Sequence, residues 1–128
     1  MDKSGGKRHL PRWLCDPDFK VSVLIDGHHY DTVALNYNHV GMGLFRYERL
    51  PEASQCTVSL SYNSDPIQLK DELIPATIVY ANETEVGSHY GLKFNLETVG
   101  TRLLLALQEV DRLLGERENH SDRYGVNS

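Results

Sequence analysis

Two short segments of the chain carry side chains suited to holding an anion or a purine. In Arg8-His9-Leu10-Pro11-Arg12, two guanidinium groups stand four residues apart, and Pro11 keeps the segment out of regular helix. Both groups can therefore turn to one ligand. A guanidinium offers paired, planar donors that match a phosphate or the O6/N7 edge of guanine, and its flat face stacks on a purine. The second segment is Asn36-Tyr37-Asn38-His39-Val40-Gly41, at the end of a predicted strand. Its carboxamides present donors and acceptors on short arms, and Gly41 permits a positive φ or the close approach of another group. Taken singly, each has a plainer reading. An isolated Arg-x-x-x-Arg is more often a solvated basic tail, and an Asn-rich turn more often hydrogen-bonds its own backbone.

Other reactive residues form no comparable set. His28 and His29 are adjacent on a predicted strand, so they face opposite ways, and they lack a third metal ligand. His39, His89, Asp16 and Asp18 make no nucleophile, base and orienter arrangement, so neither catalytic residues nor a metal is expected and the chain reads as a non-enzyme. Cys15 and Cys56 are far apart and outside any CxxC motif, which suits reduced thiols used as core filler.

The elements that must position the two segments follow from hydrophobic periodicity. Val21, Val23 and Ile25 alternate with Lys20, Ser22 and Leu24 before the hairpin dipeptide Asp26-Gly27, predicting strands near 20–26 and 29–36. Cys56, Val58, Leu60 and Tyr62 repeat every second residue up to the turn Asn63-Ser64-Asp65-Pro66. Ala76, Ile78 and Tyr80 do the same, as do Tyr90, Leu92, Phe94 and Leu96, giving a second hairpin. Short strands with one apolar face cannot bury it alone, so closure into a small barrel is the economical solution. The period then changes to that of a helix: Val99, Leu103, Ala106, Leu107, Val110, Leu113 and Leu114 form one stripe. That helix is expected to start at an Asn95 or Thr98 cap, stop at Gly115 and cover a barrel mouth. The organisation expected is an extended, flexible basic arm at 1–19, a barrel at 20–97, a helix at 98–114 and a polar tail at 115–128.

Composition narrows the function classes. With 128 residues, 40% hydrophobic and 24% charged, the chain is sized for one soluble domain. No apolar run approaches the roughly 20 residues of a membrane-spanning helix, and the polar start lacks a secretory h-region, so a cytoplasmic protein without membrane insertion is expected. Lys3, Lys7, Arg8 and Arg12 against Asp2 give the first 13 residues a net charge of +3, which leaves −8 for the rest of a chain of net −5. An acidic body repels DNA and RNA backbones, so neither is an expected partner. A small anion gripped by the arm is compatible with it.

In order and spacing the two segments resemble the PilZ family of bacterial receptor domains for the second messenger cyclic di-GMP. That family carries RxxxR in an N-terminal arm and a (D/N)xSxxG loop after a strand hairpin, matched here by Arg8/Arg12 and Asn36-x-Asn38-x-x-Gly41. Residues 76–80 and 89–94 resemble its closing hairpin and 98–114 its C-terminal helix, so the likeness spans roughly residues 7–114. Asn38 stands where the family prefers serine. The resemblance implies a mainly all-β fold, a six-stranded antiparallel barrel with a C-terminal α-helix. It also implies a cyclic di-GMP receptor that uses no cofactor, changes conformation on binding and signals to an effector protein. Arg8 and Arg12 would contact guanine and phosphate, and Asn36, Asn38 and Gly41 would hold a guanine from the barrel side. Lys7, Trp13, His39 and Tyr80 would pack around the ligand, with Lys7 bearing on whether one molecule or a stacked pair is bound. Trp13 can instead anchor the arm against the barrel, and Tyr80 can equally be an ordinary core or surface aromatic. The alternatives are a PilZ-like adaptor that binds no nucleotide and a small barrel for single-stranded nucleic acid.

Overall fold

The computed structural model describes residues 10–124, with side chains through residue 118. Arg8 and Lys7 of the basic segment lie outside the described residues. Alternation dictates the first hairpin. Phe19, Val21, Val23 and Ile25 are buried along β2 (Phe19–Ile25), and the turn to β3 (His28–Asn38) places Asp26 at φ 52° and Gly27 at φ 80°. Two consecutive left-handed residues match the twist of paired strands, and an Asp-Gly dipeptide supplies them at low cost.

β3 closes the barrel. It pairs with β2 as far as Thr32, while its second half pairs along the other edge with β4 (Gly41–Arg46) through Val33↔Phe45 and Asn38↔Gly41. β2 continues to β5 (Gln55–Ser64), β5 to β6 (Ile67–Glu83), β6 to β7 (Ser88–Phe94), and β7 back to β4. The result is a closed six-stranded antiparallel barrel. Within the arm, the two-residue strand β1 (Trp13–Leu14) adds to β3 opposite Tyr37 and Asn36.

Two strand segments depart from the periodicity reading. β4 is hidden because the outward positions in Gly41-Met42-Gly43-Leu44 are glycines instead of polar residues; Met42 and Leu44 are nevertheless fully buried. β6 begins at Ile67, well before the expected Ala76, because Asp71 at φ 50° accompanies a register shift opposite Leu60 and Tyr62 that breaks the alternation.

The helix also differs from its expected bounds. A 3-10 turn (Leu96–Thr98) precedes α1 (Thr101–Tyr124), so neither Asn95 nor Thr98 is its cap. The Asn95 side chain hydrogen-bonds Thr77 and Gln55 on the barrel instead. At the other end α1 passes through Gly115. A Cβ there would lie 3.0 Å from Cζ2 of Trp13, so the glycine makes room for an indole and does not end the helix. Arg117, beyond it, donates to the Tyr62 hydroxyl (2.9 Å) and Ser64 Oγ (2.7 Å), tying the extra turn to β5. Leu103, Leu107, Val110 and Leu114 bury the apolar stripe in the barrel core, and the Tyr37 hydroxyl donates to the Leu107 carbonyl at 2.9 Å. Cys15 and Cys56 pack beside that core as free thiols. Burial and the neighbouring Asp16 push the Cys15 thiol up to about 12, and burial pushes Cys56 up to about 11, so both keep their protons.

Candidate functional site

The arm and the β3–β4 hairpin meet on the outside of the barrel. Arg12 Nη1 donates to Asn36 Oδ1 at 3.2 Å, joining two residues that the sequence separates by 24 positions. Asn38, only 2% exposed, uses both ends of its carboxamide within the protein: Nδ2 donates to the Pro11 carbonyl at 3.1 Å and Oδ1 accepts the Val40 amide at 2.9 Å. A serine hydroxyl at this position has a shorter reach, so the larger side chain is what spans from the turn to the arm.

Three glycines make the floor. A Cβ on Gly41 would fall 2.3 Å from the Leu92 carbonyl oxygen and 3.1 Å from Arg12 Nη2. On Gly43 it would fall 2.9 Å from Asn36 Oδ1, and on Gly91 2.1 Å from the Tyr80 ring. The strand register lines these positions up: Asn36 is opposite Gly43, Gly43 opposite Gly91, and Gly91 opposite Tyr80. Asn36 and Tyr80 thus lean in from the two sides over bare backbone, and the Tyr80 ring remains about half exposed. Gly41 serves by close approach, since its φ is not positive.

His39 and Trp13 meet at a residue that the sequence did not single out. Asp111, on α1, accepts the Trp13 indole N–H at 2.8 Å through Oδ1 and, through Oδ2, the His39 amide at 2.9 Å and His39 Nδ1 at 2.6 Å. Trp13 thus anchors the arm on two sides, against β3 of the barrel as the sequence predicts and against Asp111 and Gly115 of the helix. The available signal was positional: Asp111 falls one turn after Leu107 and one turn before Leu114, on the buried stripe. Partial burial opposes the charge of Asp111, but the bonds from His39, Trp13 and the His39 amide outweigh it and hold the carboxyl below its usual range.

That shift fixes a pH dependence. A carboxyl depressed in the folded state contributes stability above its unfolded value, near 3.9, and the contribution disappears as pH falls through the lower folded value. We expect wild-type protein to melt above Asp111→Asn by a constant margin at pH 5–8, and the margin to close below about pH 3.9. Calorimetric scans from pH 3 to 8 measure it, and a margin that widens on acidification would contradict the assignment.

A groove of about 660 Å³ lies elsewhere, on the outer faces of β2, β3 and β5. Its charged lining, Asp16, Asp31 and Asp71 against Lys20, suits no dianion. The Arg12–Asn36 surface instead sets a guanidinium and a carboxamide over a floor of glycine backbone.

No protein-family model matches the chain, and no curated protein matches it. Solved structures do. YcgR from Escherichia coli in complex with c-di-GMP matches with a TM-score of 0.63 at 18% identity, over 94% of this chain and 50% of that one. The PilZ domain of YcgR with c-di-GMP matches with a TM-score of 0.67 at 13% identity, over 92% and 98%. The Bacillus subtilis inhibitor of motility, MotI/DgrA, matches with a TM-score of 0.65 at 12% identity, over 86% and 54%. The chain thus spans about half of the longer proteins and nearly all of the isolated domain. At these identities the likeness is one of fold.

Proposed function

We propose that this chain, which has the fold of a PilZ domain, is a receptor for cyclic di-GMP that reports binding to a protein partner. The observation that carries the reading is the Arg12–Asn36 contact above the Gly41, Gly43 and Gly91 backbone, since it gathers a guanidinium, a carboxamide and an exposed aromatic on one patch of the barrel wall. Cyclic di-GMP is a dianion with two guanines. Arg12, with Arg8 four residues earlier in the sequence, answers phosphate and the guanine O6/N7 edge. Asn36 and the Gly41 backbone hold a base from the barrel side, and Tyr80 stacks on it. Asn38 acts through the arm, by holding the Pro11 carbonyl. Because Asp111 bonds both Trp13 and His39, a ligand that moves the arm or the hairpin acts directly on α1, the element a partner would read. The expected role is that of a sensor and not of an enzyme.

A ligand that prefers the native state raises its stability by RT ln(1 + [L]/Kd), about 2.7 kcal/mol at a hundredfold excess over Kd. For a domain of this length that is a rise in Tm of roughly 10 °C. Melting curves with cyclic di-GMP, GMP and a single-stranded oligonucleotide should show the rise with the cyclic dinucleotide alone. Unmoved curves would favour the second reading, an adaptor without nucleotide, which the engagement of both ends of the Asn38 carboxamide within the protein supports. A rise with the oligonucleotide would instead indicate a single-strand binder.

A further inference from the structure

We propose that Lys93 is a further cation of this site, beyond the two arginines, placed to take one phosphodiester of the cyclic dinucleotide. The inference rests on the receptor reading above and adds a residue outside both arginine and asparagine motifs. It follows from four positions on two neighbouring strands. On β4, Gly41 and Gly43 alternate with the fully buried Met42 and Leu44, so both face outward. On β7, Gly91 and Lys93 alternate with the buried Tyr90, Leu92 and Phe94 and face outward in the same way. The register sets Gly41 opposite Lys93 and Gly43 opposite Gly91. The four positions form one tile, about 5 Å across the strands and about 7 Å along them.

Each glycine of the tile is covered by a side chain from next door: Gly41 by Arg12, Gly43 by Asn36 and Gly91 by Tyr80. The fourth corner carries Lys93, whose exposed side chain rises directly from the tile. Its ammonium is available. Among the described residues no carboxylate pairs with it, as is true of Lys20 and Lys70 elsewhere on the barrel, whereas Arg46, Arg49, Arg102, Arg112 and Arg117 each have an acidic partner. Glu97 lines the adjoining 280 Å³ cavity with Lys93 but is not within ion-pair distance of it. A lone cation matters more here than on a basic protein, because the chain beyond the arm is acidic and repels the ligand. A point charge on a flexible stem suits a phosphate and not a base edge, which separates its role from that of Arg12.

Titration calorimetry with cyclic di-GMP at two salt concentrations tests this. Lys93→Ala should bind about five- to twentyfold more weakly and with a shallower salt dependence, and Lys93→Arg should recover to within about threefold of wild type. The melting temperature without ligand should not change, because the side chain is exposed. Alanine and arginine variants weakened equally would overturn the role of the charge. Lys93→Ala with wild-type affinity and salt dependence would overturn this inference alone, leaving the receptor reading intact if Arg12→Ala is impaired. Absence of binding by the wild-type protein would overturn both.

Discussion

Replacing Arg12 by alanine is expected to weaken cyclic di-GMP binding by about ten- to a hundredfold. Charge-assisted hydrogen bonds contribute about 1.5–3 kcal/mol each, and every 1.4 kcal/mol is a factor of ten in Kd. The structure already fixes the guanidinium, with Nη1 on Asn36 Oδ1 and Nη2 above the Gly41 backbone, so little side-chain entropy remains to be lost on binding. Arg12→Lys keeps the charge but removes the fork, and should fall between the two. Calorimetric titration of the three proteins decides it. An alanine variant within twofold of wild type would remove Arg12 from the site.

Leu107→Ala should cost about 2–5 kcal/mol of stability, the range for deleting a buried leucine and leaving part of the cavity behind. Leu107 is 1% exposed, and its own carbonyl accepts the Tyr37 hydroxyl, so it stands where the helix closes onto β3. Against a typical total of 5–15 kcal/mol the loss is large, and a fall in Tm on the order of 10–20 °C follows. Urea titration gives the free energy directly. A change below about 1 kcal/mol would mean that the helix does not seal the barrel mouth.

Much of this architecture was legible because three of the strands carry their burial in alternate residues. Val21 to Ile25, Val58 to Tyr62 and Tyr90 to Phe94 all bury the residues that the period of two selects. Two of the failures have a common cause: residues chosen for what covers them do not reveal their element. Gly41 and Gly43 conceal β4 because Arg12 and Asn36 occupy the space of their side chains, and Gly115 imitates a helix stop because Trp13 lies on it. Asp111 was invisible for the reverse reason, since a carboxylate within an apolar stripe declares its purpose only when Trp13 and His39 arrive from distant parts of the chain. The two binding motifs could be found in sequence, but their meeting at Arg12 and Asn36, and the tile beneath them, depend on strand register.

The short pairing of Trp13 and Leu14 with β3 carries one more consequence. β2 accompanies β3 only to Thr32, so the backbone from Leu35 to Tyr37 on that side is satisfied by the arm alone, including the Cys15 amide on the Leu35 carbonyl. The arm is thus also a protective hem. Stripped of it, the barrel would present an open β-edge of the kind that recruits a strand from another molecule, and truncation before Asp16 should promote self-association.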